Sequence, residues 1–121
     1  TLSSPAEAQV PRTWIATLRN HTSASLAATS GVAEASDVAA YLLAGADVVM
    51  TTSSLVRNGA GYARTLIDGL SDWAAAKGFA SVDDFRGLLA VPSGADDNAL
   101  ARSGYLAALE KAQQTYGSLR A

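Results

Sequence analysis

The sequence has no cysteine and a single histidine. The absence of cysteine excludes a disulfide framework, a thiolate metal site and a cysteine nucleophile. It also fits a reducing compartment, so we expect a cytoplasmic protein. Long apolar runs are missing too, because the stretch over residues 38–50 is too short to span a bilayer and is interrupted by Gly45 and Asp47. We therefore expect no membrane partner.

Charge of one sign is also scarce. The nine Lys and Arg residues nearly balance the eleven Asp and Glu residues, so the formal charge is only -2 and is spread along the chain. Without a basic stripe the chain cannot neutralise a phosphodiester backbone, so nucleic acid is not an expected partner. The 49% of hydrophobic and 17% of charged residues predict a folded domain with a buried core.

The first third of the chain contains the pattern of one βα unit. A helix is predicted over residues 11–19, with Pro11 as its first residue and apolar side chains at helical spacing. After a turn at His21, the small residues 23–28 are typical of a buried strand. A small polar loop over residues 29–31 follows.

A second unit of the same kind comes next. Ser36 and Asp37 predict the start of a helix that runs to residue 43, and Gly45 can end it in the left-handed conformation. Residues 47–51, whose centre Val48 to Met50 is apolar, then predict another strand. Strands that are each reached through a helix are typical of a parallel sheet, so we expect the two strands to be adjacent and parallel.

The remainder of the chain has a helical pattern. A long amphipathic helix is predicted around residues 62–73 and ends at Gly78. Ser81 to Asp84 resemble a capping box that opens a short helix, and a last helix is predicted over residues 98–116. We assign residues 1–78 to the βα units and residues 79–121 to a helical C-terminal extension.

Two parallel strands need further cover on both faces and both edges. Closed barrels of parallel strands typically take about 250 residues. The start of the chain, Thr1 to Pro5, has neither an initiator methionine nor a signal-peptide pattern. We therefore expect an α/β fold in which this chain supplies the last two βα units of a TIM barrel, and in which the other strands precede Thr1. A large apolar contact is expected with that polypeptide or with a second copy of the chain.

Several segments resemble the dihydroorotate dehydrogenases, and in particular the branch called dihydroorotate dehydrogenase-like proteins. The central segments resemble strands seven and eight of that barrel. These segments are Ala28-Thr29-Ser30-Gly31-Val32, Asp37-Val38, Leu42-Leu43-Ala44-Gly45-Ala46-Asp47 and Val48-Val49-Met50-Thr51-Thr52-Ser53-Ser54-Leu55 with Gly59. The outer segments Leu2-Ser3-Ser4-Pro5-Ala6-Glu7, Trp14-Ile15-Ala16 and Ser81-Val82-Asp83-Asp84-Phe85-Arg86-Gly87 are similar to that branch as well.

The resemblance implies FMN as the cofactor. The family holds the flavin phosphate with main-chain N–H groups after strands seven and eight, and these positions fall on Ser30, Gly31, Thr52 and Ser53. Barrel phosphate sites do lie after these strands, where N–H groups at a helix start face the anion. Ser30 and Thr52 stand where the family has glycine, which approaches a ligand more closely. In the alternative interpretation, residues 51–54 only cap the following helix.

The resemblance places the redox chemistry outside this chain. In the family, a Ser or Cys base and the Lys and Asn residues that hold flavin and substrate lie on earlier strands, so no catalytic residue is assigned here. His21 is interpreted as a surface or hydrogen-bonded residue, and the acid pairs Asp83-Asp84 and Asp96-Asp97 as helix starts and not as metal ligands. No metal site is expected.

The predicted function is therefore that of an FMN-dependent oxidoreductase of pyrimidine biosynthesis. It would act on the CH–CH bond of dihydroorotate or a related small-molecule dihydropyrimidine, with this chain providing the phosphate-binding part. The expected partners are the N-terminal remainder of the same barrel and a second copy in a homo-oligomer. Two alternatives stay open: another phosphate-binding TIM-barrel enzyme, and a non-catalytic helical interaction or dimerisation module.

Overall fold

The computed structural model describes residues 1–92, in which helices and two short strands alternate. The strands are β1 (Ala27–Ala28) and β2 (Val48–Val49), and the helices are α1 (Gln9–Leu18), α2 (Ala35–Ala44), α3 (Ser53–Asn58) and α4 (Tyr62–Ala76). Three short 3-10 turns accompany them, at Pro5–Ala8, Arg19–His21 and Val82–Asp84. The helix predicted over residues 98–116 and the acid pair Asp96-Asp97 lie outside the described residues.

The predicted start of the first helix, at Pro11, is wrong. Helical turns begin at Pro5, where a proline needs no N–H, and the Glu7 carboxylate accepts a hydrogen bond from the Ser4 N–H at 3.2 Å. This 3-10 turn leads directly into α1, which starts at Gln9. Pro11 therefore lies inside the first turn of α1, a position that tolerates proline.

The predicted cap of the second helix also lies too far towards the C-terminus. The N-cap of α2 is Glu34, and Asp37 is the third residue of the helix and not its cap. The Asp37 carboxylate accepts hydrogen bonds from the N–H groups of Ala33 at 3.0 Å and Glu34 at 2.9 Å, so it satisfies the helix start from inside the first turn. At the other end, Gly45 adopts φ 117°, which confirms the predicted left-handed ending.

The two strands pair in parallel, as predicted. Ala27 lies opposite Val48 and Ala28 opposite Val49. Both strands are shorter than expected. Before β1 the backbone bonds to side chains: the Leu26 N–H donates to the Asp47 carboxylate at 2.8 Å, and the Ala24 carbonyl accepts from Arg19 at 3.0 Å. The loops that follow β1 and β2 both leave the carboxyl ends of parallel strands, so they emerge at one edge of the pair.

The core has two main parts. Between α2 and α4, the rings of Trp73, Phe79 and Phe85 pack together with centroid distances of 5.0 to 6.0 Å and meet the leucines of α2. Beneath the loop after β1, Tyr41 packs with small apolar side chains, namely Ala8, Ala28, Val32 and Ala46. The second cluster places a buried aromatic residue directly under the loop at the carboxyl edge. Within residues 1–92, no helix has both the length and the apolar character needed to cross a bilayer.

At the opposite edge, where the amino ends of the two strands lie, an ion pair between Arg19 and Asp47 stabilises the strand pair. The Arg19 guanidinium donates to the Asp47 carboxylate at 2.8 Å and to the carbonyls of Gly45 at 3.2 Å and Thr22 at 2.9 Å. The hydrogen bond from the Leu26 N–H lowers the pKa of Asp47, and the Arg19 guanidinium lowers it further, against the opposing effect of burial. The ionised carboxylate therefore stabilises the fold.

We expect this contribution to depend on pH. Because the pKa of Asp47 is lower in the folded state, its stabilisation is present above the unfolded value of about 3.9 and is lost as the pH falls through the folded value. Asp47→Asn should therefore lower the melting temperature at pH 7, with a difference from the wild type that shrinks towards pH 3. Asp68→Asn, which breaks only the exposed Arg64 to Asp68 pair, is the control and should change little at either pH. A difference for Asp47→Asn that is the same at both pH values would contradict this.

Candidate functional site

The loop after β1 has an unusual backbone. Ser30 has φ 83° and Gly31 has φ 69°, so two consecutive residues lie in the region that favours glycine. Among residues 1–92, Ser30 is the only residue other than glycine with a positive φ. A side chain in this conformation costs roughly 1–2 kcal/mol, which the surrounding contacts must offset.

Hydroxyl groups hold the carbonyls of this loop. The Tyr41 hydroxyl lies 2.9 Å from the Thr29 carbonyl oxygen and 2.7 Å from that of Ser30, while Thr51 Oγ1 donates to the Val32 carbonyl at 3.0 Å. Burial raises the pKa of Tyr41, so its phenol stays protonated and can donate. The loop is thereby fixed from α2 on one side and from the end of β2 on the other.

A third hydroxyl joins the loop after β1 to the loop after β2. Ser3 Oγ accepts a long hydrogen bond of 3.4 Å from the Gly31 N–H and lies 3.0 Å from Ser53 Oγ. Ser53 is buried and Ser3 is half-buried. One oxygen atom therefore contacts both the loop after β1 and the start of α3, at the carboxyl ends of the two strands.

These three groups have the chemistry of an anion site. They comprise one N–H and two hydroxyls, and the described hydrogen bonds bring no carboxylate to any of them. Phosphate oxygens accept hydrogen bonds from neutral donors of this kind, including main-chain N–H groups.

The four residues predicted to bind a cofactor are not placed alike. Ser30 and Gly31 lie in the loop after β1, and Ser53 is the first residue of α3; Ser3 contacts Gly31 and Ser53. Thr52 is the N-cap of α3, and its side chain makes no capping hydrogen bond. In the alternative interpretation, residues 51–54 cap the following helix. Thr52 does occupy the N-cap position, but its hydroxyl does not cap the helix. Thr51 and Ser54 instead bond to each other at 2.7 Å.

The other residues singled out in the sequence lie away from this edge. His21 ends the turn that precedes β1, whereas the loop over residues 29–31 follows β1. The Asp84 carboxylate accepts from the N–H groups of Ala80 and Ser81, which confirms the predicted capping pattern, and Asp83 pairs with Arg86. In the part of the chain that the structure describes, no group of three or more His, Asp or Glu side chains could hold a metal ion.

Two residues of this edge could not be assigned from the sequence alone. Ser3 lies 28 residues before Gly31 and 50 before Ser53, so no local pattern connects them. Tyr41 lies on the core face of α2 by helical spacing, but spacing does not show what its terminal oxygen reaches.

Comparison with protein-family models gives no match, and a search of curated proteins finds no significant relative.

Proposed function

We propose that this chain is the C-terminal, FMN-phosphate-binding part of a dihydroorotate dehydrogenase-like flavoprotein. The full protein would be a TIM-barrel oxidoreductase of pyrimidine biosynthesis that acts on the CH–CH bond of a dihydropyrimidine in the cytoplasm. The proposal is based on the resemblance of the sequence segments to that family. The described residues add support from the geometry of the two loops.

The observation that carries the proposal is the position of Ser3 Oγ, which contacts the Gly31 N–H and Ser53 Oγ at once. A phosphate oxygen bound at this edge could take the same N–H, and the two serine hydroxyls could turn to donate to the phosphate. Ser30 supports the proposal too, because its positive φ is a conformation that favours glycine, the residue that the family has at this position. The serine here is thus compatible with the same loop conformation.

The exposed face of the strand pair supports the proposed N-terminal partner. Val48 of β2 and Met50, which follows the strand, are two residues apart and are 53% and 47% exposed. Ala27 of β1 is exposed as well. Large apolar side chains on a strand are normally covered, and in the proposed protein the remaining strands of the barrel would cover them.

The role of this chain in such an enzyme is to bind and orient the cofactor. Bound FMN would supply the hydride acceptor, and the base that takes the substrate proton would belong to the preceding polypeptide. Gly31, Ser3 and Ser53 would hold the phosphate end of the flavin and so fix the depth at which its ring enters the barrel.

The test compares FMN with riboflavin, which has no phosphate. In the full protein, including the polypeptide proposed to precede Thr1, we expect FMN to bind at least about 10-fold more tightly than riboflavin, because each hydrogen bond to a charged group contributes about 1.5–3 kcal/mol. Ser3→Ala should weaken FMN binding by about 10-fold and leave riboflavin unaffected. Flavin fluorescence quenching measures both affinities.

Ser71→Ala is the matched control, since Ser71 is exposed on α4, and it should not change either affinity. Equal affinity for FMN and riboflavin would contradict the proposed phosphate site. Binding of a phosphorylated sugar without flavin would favour another phosphate-binding barrel enzyme, and a folded protein that binds none of these ligands would favour the helical interaction module.

A further inference from the structure

The Tyr41 hydroxyl is placed to fix the direction of the N–H groups in the loop after β1. Tyr41 lies on α2 and is 0% exposed, so its ring position is set by the core. Its hydroxyl reaches two consecutive carbonyls, at 2.9 Å for Thr29 and 2.7 Å for Ser30. Two adjacent peptide groups thus have their oxygens turned towards the same buried atom.

The direction of the two carbonyls also sets the direction of the N–H groups in the same peptides. In a planar trans peptide the C=O and the following N–H point in opposite directions, and residues 1–92 contain no cis peptide bond. The Thr29 carbonyl shares its peptide with the Ser30 N–H, and the Ser30 carbonyl shares its peptide with the Gly31 N–H. Both N–H groups are therefore directed away from Tyr41, and the Gly31 N–H meets Ser3 Oγ on that side.

We propose that Tyr41 is a positioning residue for the anion site: by sharing its one O–H proton between the carbonyls of Thr29 and Ser30 it keeps Ser30 in its left-handed conformation and directs the Ser30 and Gly31 N–H groups at the phosphate. This inference rests on the proposed function and adds a residue to it. Tyr41 does not touch the ligand and acts only through the backbone of the loop.

The experiment uses Tyr41→Phe in the full protein, which removes the hydroxyl and keeps the ring. Because the two N–H groups lose their fixed direction, we expect the Kd for FMN to rise about 10-fold, the change that corresponds to about 1.4 kcal/mol. Affinity for riboflavin, which does not need the loop donors, should stay within about 2-fold on the same scale. A loss of both affinities in equal measure would indicate a general structural role and overturn the inference.

The matched control is Tyr62→Phe. The Tyr62 hydroxyl donates to the Ala33 carbonyl at 2.9 Å, so it also bonds a backbone oxygen of this segment, but the peptide concerned lies beyond Gly31. Tyr62→Phe should leave FMN affinity unchanged. If it weakens FMN binding as much as Tyr41→Phe does, the effect is not specific to the peptides at Ser30 and Gly31, and the inference is wrong.

A second variant tests the mechanism through Ser30. Glycine adopts a positive φ without a penalty, so with Ser30→Gly the loop conformation should depend less on the hydrogen bonds from Tyr41. In the Ser30→Gly background, Tyr41→Phe should therefore weaken FMN binding by no more than about 3-fold, against about 10-fold with serine present. Equal losses in both backgrounds would overturn the inference.

A measurement on the wild type keeps the test independent of whether the variants fold. With 15N-serine and 15N-glycine labelling, titration with inorganic phosphate should shift the amide resonances of Ser30 and Gly31 in parallel, with the same apparent Kd. A Ser30 amide that does not respond while Gly31 does would overturn the role of Tyr41 and leave the anion site standing. If the wild type binds FMN no better than riboflavin and neither amide responds, both the proposed function and this inference fail.

Discussion

Phe85→Ala should lower the free energy of unfolding by about 3–5 kcal/mol, the range for removing a buried phenylalanine ring. Phe85 is 0% exposed, and its ring meets Trp73 edge-on at 5.0 Å and Phe79 at 5.2 Å. Truncation would remove both ring contacts and leave a cavity between α2 and α4. Urea unfolding of the full protein, followed by tryptophan fluorescence, measures the change.

The control for this variant lies three residues further on. Leu88 is 40% exposed, so Leu88→Ala removes apolar surface that is already in contact with water. We expect it to cost about 1 kcal/mol or less. Similar losses for the two variants would mean that the aromatic cluster contributes little beyond ordinary surface contacts.

Gly31→Ala should be the second strongly destabilising change, by about 2–5 kcal/mol from strain and overpacking together. The glycine has φ 69°, and a Cβ at this position would lie 2.6 Å from the Ala8 nitrogen and 2.9 Å from the Ser4 carbonyl oxygen. Both atoms belong to the backbone, so the turn at Pro5–Ala8 would have to move. Because that turn follows Ser3, FMN binding should be lost together with stability.

Gly78→Ala separates strain from crowding. Gly78 has a similar φ of 81°, but a Cβ there would have no neighbour within 4 Å. Its substitution should cost about 1 kcal/mol and leave FMN binding unchanged. If thermal unfolding shows the two glycine variants to be equally destabilised, the close approach of the N-terminal turn to Gly31 is not a determinant of stability.

The sequence predicts those parts of the fold that depend on local signals. The ending of α2 at Gly45 and the capping pattern from Ser81 to Asp84 follow from residue type and spacing, and both are confirmed. The predicted starts of α1 and α2 are too late: the Glu7 carboxylate caps the 3-10 turn that leads into α1, and the Asp37 carboxylate caps α2 from inside its first turn. Ser4 to Glu7 has the spacing of a capping box, whereas the N-cap of α2 is Glu34, a residue type that is not among the preferred N-caps, so residue type does not mark the start of α2.

The candidate site was predictable to a similar extent. The loops over residues 29–31 and 52–53 could be placed together, because the carboxyl ends of adjacent parallel strands share an edge. The contact through Ser3 depends on how the N-terminal turn packs against Gly31, which no pattern in the sequence encodes. The closure of the barrel and the binding of FMN stay predictions, since both depend on polypeptide outside residues 1–92.

The two edges of the strand pair differ in how readily they can rearrange. At one edge, Arg19 is a rigid planar fork whose donors all have fixed directions. At the other, the contact between Ser3 and Ser53 consists of two hydroxyls, each of which exchanges donation for acceptance by rotating about one C–O bond. Reorienting these two protons takes only a side-chain rotation, which occurs on the picosecond to nanosecond timescale, whereas the Arg19 fork has no such freedom.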